Sequence, residues 1–150
     1  MQARNPSFAQ RVHESFALQG AMQTLGAGLL EVEPGRVVIG LAHRAELTQQ
    51  HGFVHAGMVA TALDSACGYA AFTLMQSDAG VLTIEFKINL LAPARGPHFR
   101  FEGLVKKGGR TISVVDGQAW QHEPGSDELK LIATMTATVM TVVGRDDVRH

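Results

Sequence analysis

One acidic residue, Asp64, stands alone in a stretch that is otherwise apolar or small. From Gly57 to Met75 the chain reads GMVATALDSACGYAAFTLM, and Asp64 is the one formal charge in it. A carboxylate in so apolar a setting must be paired, neutralised or put to use. Asp64 is therefore the candidate base or nucleophile, set against a structural alternative in which it is a buried acid bonded to backbone or hydroxyls. Just upstream lies His51-Gly52-Phe53-Val54-His55-Ala56-Gly57. A helix beginning there exposes unpaired N–H groups at the positive end of its dipole, which suits a developing oxyanion. Gly57 leaves that backbone open to a substrate carbonyl, and its alternative role is that of a glycine needed for close packing.

The remaining reactive side chains are weaker candidates. His51 and His55 are four apart, a spacing used by helical metal pairs, but Gly52 and the helix start interrupt them and no third ligand accompanies them, so no metal is expected. His55 is instead expected to orient groups at the helix entrance. Ser65 adjoins Asp64, yet neighbouring helical residues point about 100° apart and no nucleophile elbow is present. Cys67 sits on the apolar helix and belongs to the core. Arg95, Lys106, Lys107 and Arg110 lie near turns, where a cation either grips phosphate or is simply solvated.

Geometry then constrains how the helix is used. Seven residues separate Gly57 from Asp64, which leaves them about 20° apart around the axis but about 10 Å apart along it. A reacting carbonyl needs donor and base each about 3 Å away, so one helix does not supply both. Two helices packed antiparallel about a two-fold axis do, which predicts a homodimer with two composite sites and admits a dimer of dimers.

The elements that position this helix follow from periodicity. Residues 5–19 carry apolar residues at helical spacing and predict a short helix that Gly20 stops. Residues 24–32 and 36–41 read as strands around Glu33-Pro34-Gly35. Past a break at residues 77–80, Leu82, Ile84, Phe86, Ile88 and Leu90 alternate with polar residues, so one face of that strand is expected to meet the core. Strands follow over 98–106, 111–120 and 129–142, with a bulge expected at Val114-Val115. Residues 145–150 are expected to fray. Four consecutive strands imply an antiparallel meander wrapped around one long helix, an α+β domain spanning residues 1–150.

Composition narrows the function. With 150 residues, 45% hydrophobic content, 18% charged residues and a net charge of −1, the chain has no basic stripe for nucleic acid. One cysteine excludes an internal disulfide and suits a reducing compartment. No apolar leader is visible, so a cytoplasmic location is expected. Asp64, the serine, the threonines and two glycines make the long helix a poor membrane span.

Residues 49–57, QQHGFVHAG, followed by Ala62-Leu63-Asp64-Ser65-Ala66, resemble the signature of the PaaI-type hotdog thioesterases. That signature has an Asn or Gln, then His-Gly-Gly, then a helical acid seven residues after the second glycine. The strand around Thr83 with Pro93-Ala94, and Gly109-Arg110-Thr111, are similar too. The resemblance implies a hotdog fold and hydrolysis of acyl-CoA thioesters without a cofactor. It implies Asp64 as base or nucleophile, Gly57 as oxyanion donor, Gln49 as a contact to the carbonyl or water, and Thr83 as an aid to Asp64. Ala56 departs from the first glycine of His-Gly-Gly. Val54 and Met58 are candidate substrate contacts, an acyl tunnel lined by Met58, Leu63 and Phe72 is expected, and Lys106 and Arg110 are candidates for CoA phosphates. The alternatives are a hotdog dehydratase and a non-catalytic acyl-CoA sensor.

Overall fold

The computed structural model describes residues 1–148. Along the chain run α1 (Phe8–Leu18), α2 (Gly20–Leu25), β1 (Gly28–Glu33), β2 (Arg36–Ala42), a 3-10 turn (Ala45–Leu47), α3 (Ala56–Phe72), β3 (Ala79–Leu90), β4 (His98–Gly108), β5 (Ile112–His122) and β6 (Leu129–Val143). The strands form one six-stranded antiparallel sheet in the order β1-β2-β4-β5-β6-β3, curled around α3. This is the hotdog architecture.

Close approach of helix and sheet depends on small residues from both sides. Ala62, Ala66, Cys67 and Ala70 of α3 are fully buried. Opposite them, Gly103 and Gly117 are cross-strand partners on β4 and β5. A Cβ on Gly103 would stand 2.3 Å from the Ala66 carbonyl oxygen, and one on Gly117 would stand 2.9 Å from Cys67 Sγ. The helix therefore lies in a glycine-floored channel. It ends at Phe72, three residues short of the expected Met75, because the Thr73 hydroxyl donates to the Ala70 carbonyl and accepts the Gly35 N–H from the β1–β2 turn.

Several expectations are corrected. The chain does not leave helix at Gly20: α2 begins there, buries Met22 and Leu25, and ends at Gly26, whose φ of +70° is the left-handed conformation that stops a helix. The first strand accordingly starts at Gly28, four residues later than expected. Only β4-β5-β6 is a meander; β3 pairs with β6 at the sheet edge, and residues 91–97 cross over to place β4 beside β2. The bulge lies not at Val114-Val115 but opposite them, at Lys106 of β4. Residues 145–148 form a turn with an Arg145–Asp147 ion pair, and Val148 packs on Gly80; residues 149 and 150 lie outside the described residues.

The largest correction concerns β3. Its register with β6 shifts at Ile84, so Thr83 opposes buried Val139, while Phe86, Ile88 and Leu90 oppose buried Ala137, Met135 and Ala133. Leu82 falls on the outer face and Ile84 in the bulge. Leu82, Ile84, Phe86 and Leu90 are 39%, 52%, 41% and 53% exposed, so these four apolar residues of the edge strand are left uncovered by their own chain, while Val81 and Ile88 pack against its core.

Candidate active site

Asp64 emerges on the flank of α3 that faces the start of β3. The Thr83 hydroxyl donates to Asp64 Oδ1 at 2.8 Å. Burial pushes the carboxyl's pKa above the ordinary carboxylate range, and the Thr83 hydrogen bond opposes part of that rise. One carboxylate oxygen is thus held by Thr83. A cleft of about 230 Å³ opens here, lined by Asp64, Thr83, Gln19, Ser65, Tyr69 and neighbouring residues.

The helix entrance is a second, separate construction. His55 is the N-cap of α3, and its Nδ1 accepts the Gly57 N–H at 2.9 Å. The His55 N–H bonds to the Leu47 carbonyl, and the Val54 N–H to the Ala94 carbonyl, each at 2.8 Å, which fixes the approach to the helix. Gln49 heads a tight loop closed by Gly52, at φ +82°, and its side-chain oxygen accepts the His51 N–H. The Gln49 amide NH₂ is therefore the part of that side chain left to meet a ligand. Ala56 stands where the resemblance expects glycine, and no described non-glycine residue has positive φ, so its methyl costs no backbone strain. Gln49, Val54, His55 and Ala56 line a cleft of about 580 Å³ together with residues 90–94.

A single chain therefore splits the expected machinery. Asp64 and Thr83 share one cleft; Gln49 and His55 line the other, with the Gly57 N–H bonded to His55 next to it. Met58 is half-buried against the core. Leu63 and Phe72, expected in an acyl tunnel, are 0% and 1% exposed and are core residues; a Cβ on Gly117 would lie 3.0 Å from Leu63. Cys67 is fully buried, and burial pushes its thiol pKa up, which keeps it unreactive. Lys106 pairs with Asp116 at 3.2 Å on the outer face. Arg110 lines a cleft of about 600 Å³ with Arg4, Leu74 and Met75, beyond the C-terminal end of α3. Neither cation borders the Asp64 cleft.

The family model described as "Thioesterase superfamily" matches residues 51–127, just over half of the chain. The chain belongs to the thioesterase superfamily. The matched segment runs from the His51 loop through α3, β3, β4 and β5 into the turn before β6. Within this superfamily, the chain is similar to a thioesterase family protein from Silicibacter pomeroyi, with 52% identity, a TM-score of 0.88, and coverage of 91% of this chain and 99% of that one. A Saccharolobus solfataricus protein named for esterase activity is 35% identical over 92 residues, and the match spans 61% of this chain and 65% of that relative's length. The PaaI protein of Escherichia coli, from the phenylacetic acid degradation operon, superposes with a TM-score of 0.82 over 92% of this chain and 95% of its own, at 17% identity, and so shares the PaaI-type hotdog fold.

Gln19 joins this site without a mark in the sequence. It is the lone residue between α1 and α2, and its side chain reaches the Asp64 cleft, where Oε1 accepts the Ser65 hydroxyl at 3.0 Å. A glutamine beside a glycine at a helix end carries no signal that its side chain spans to another helix.

Proposed function

We propose that this chain hydrolyses acyl-CoA thioesters at two composite sites, each built from the Asp64 cleft of one copy and the helix entrance of another. The observation that carries this reading is the position of both clefts at opposite ends of β3. Val81 to Thr83 line the Asp64 cleft, and Leu90 to Ala92 line the helix-entrance cleft. An exposed apolar edge strand is a template for pairing with another chain. Antiparallel pairing of β3 with its own copy about a two-fold axis at Phe86 sets Glu85 against Lys87 on the outer face. The same operation brings the Asp64 cleft of one chain to the helix entrance of the other, and opposite charges face each other across the seam.

In such a site Asp64 acts as general base. Water attacks the thioester carbonyl carbon while Asp64 Oδ2 takes its proton; the carbonyl oxygen becomes an oxyanion. The partner's Gly57 N–H, backed by the helix dipole, receives that oxygen in place of His55 Nδ1. Collapse breaks the C–S bond and expels CoA as thiolate, which takes up a proton. A burial-raised carboxyl suits a proton acceptor better than an ordinary aspartate. Gln49 amide NH₂ orients the carbonyl or the water, and Val54 and Met58 border the pantetheine path. Lys106 and Arg110 are assigned to the CoA phosphates less directly, since they stand away from both clefts of their own chain.

Thiol release from a panel of acyl-CoAs tests the chemistry, with Asp64→Asn expected to abolish it. No release from any of them by the wild type would favour the non-catalytic sensor. Mixing Asp64→Asn with Gly57→Val tests the composite site. Each variant alone should be inactive, whereas mixed dimers regain one intact site, up to about a quarter of wild-type activity with random exchange. No recovery despite demonstrated subunit exchange would place both groups in one chain.

A further inference from the structure

The N-terminal helical pair is firmly attached to the Asp64 side of the molecule. Arg11 of α1 is 9% exposed, donates to the Gln76 carbonyl at 2.8 Å and to the Ala79 carbonyl, and lies 4.0 Å over the Phe72 ring. Ser15 Oγ is 3.2 Å from Tyr69 Oη, and the Phe16 and Tyr69 rings pack at 5.7 Å. The clamp joins α1 to the end of α3 and to the first residue of β3, the strand that carries Thr83. Gln19 follows directly. Its main-chain N–H closes α1 on Phe16, and its carbonyl opens α2 by accepting from Met22 and Gln23. With the backbone fixed on both sides, the side chain crosses the cleft wall to Ser65 and is held there by the Ser65 hydroxyl.

Resting on the thioesterase reading above, we propose that Gln19 is a specificity-determining residue of the acyl pocket. The Ser65 hydroxyl occupies Gln19 Oε1, so the amide Nε2 keeps its donors for a bound acyl group. That wall favours acyl chains with an oxygen acceptor over hydrocarbon chains of the same shape, because a hydrocarbon desolvates the amide without replacing its hydrogen bonds.

The experiment compares shape-matched pairs: 3-hydroxybutyryl-CoA with 3-methylbutyryl-CoA, and 4-hydroxypentanoyl-CoA with 4-methylpentanoyl-CoA. In the wild type the ratio of kcat/KM should favour the hydroxylated member of at least one pair. Gln19→Met, which keeps length but carries no donor, should cut that ratio about three- to tenfold, the range of one neutral hydrogen bond. Ser65→Ala, which unfastens Gln19, should move the same ratio in the same direction by less. A ratio unmoved in both variants, with both substrates slowed alike, overturns the proposal and leaves the thioesterase reading standing. Failure of the wild type to hydrolyse any acyl-CoA overturns both.

Discussion

Replacing Thr83 with valine tests how the site sets the basicity of Asp64. Valine preserves the branched shape and removes only the hydroxyl that donates to Asp64 Oδ1 at 2.8 Å. That hydrogen bond favours the ionised carboxylate, and burial opposes it. Its loss therefore raises the pKa of Asp64 further. A hydrogen bond to a charged group contributes about 1.5–3 kcal/mol; discounting for the partial exposure of Asp64 leaves about 1 kcal/mol. On the acid limb of kcat/KM against pH, where only the ionised fraction reacts, this is about a fivefold loss. On the alkaline plateau Asp64 is ionised in both enzymes and the loss disappears. Thiol release measured from pH 4 to 9 gives the whole profile, and Thr83→Ser should restore the wild-type limb. An equal loss at every pH, with the limb unmoved, would refute the reasoning and put Thr83 in contact with the substrate.

Three further predictions follow from the same coordinates. Because burial raises the folded-state pKa of Asp64, its contribution to stability is present below the ordinary carboxylate range and lost as pH rises through that raised value; Asp64→Asn should therefore leave Tm at pH 7 unchanged or about 2 °C higher, and a fall of more than about 5 °C would mark Asp64 as a structural acid. Gly103→Ala should cost about 3 kcal/mol in urea unfolding, since its Cβ meets the Ala66 oxygen at 2.3 Å and the Cys67 nitrogen at 2.7 Å, whereas Gly68→Ala, with nothing within 4 Å, should gain about 0.5–1 kcal/mol. Glu85→Lys should weaken the dimer about three- to fivefold by sedimentation and adding Lys87→Glu should restore it; no recovery in the double variant would rule out pairing about Phe86.

What could be read from the sequence divides along physical lines. α3 is legible because its burial is nearly all round, and Asp64 is legible because a charge there has no bland surroundings to hide in. Strands β4 to β6 have alternating inner residues, such as Phe99, Phe101 and Val105, and a period of two is visible without coordinates. β3 shows the same period, yet Leu82, Ile84, Phe86 and Leu90 are left uncovered by their own chain. Periodicity reports that a residue is apolar and not which molecule covers it. Leu63 and Phe72 carry a related ambiguity: greasy residues near a site look alike in sequence whether they line a cleft or lie under a sheet. Gln19 and the crossover at residues 91–97 depend on contacts between distant segments, which spacing along the chain does not encode.

The extra residue at Ile84 lets one ribbon hold two offices. Before it, the strand turns Thr83 inward to tend the carboxylate; after it, the parity changes, and Phe86, Ile88 and Leu90 are presented on that same inner side while Glu85 and Lys87 look out. Deleting Ile84 would close the bulge into a regular ladder, with Thr83 still inward, Glu85 still opposite Thr138 and Phe86 still opposite Ala137. A shortened chain of this kind would isolate what the local bend and twist at Ile84 contribute to the meeting of two copies, with both faces of the strand unchanged.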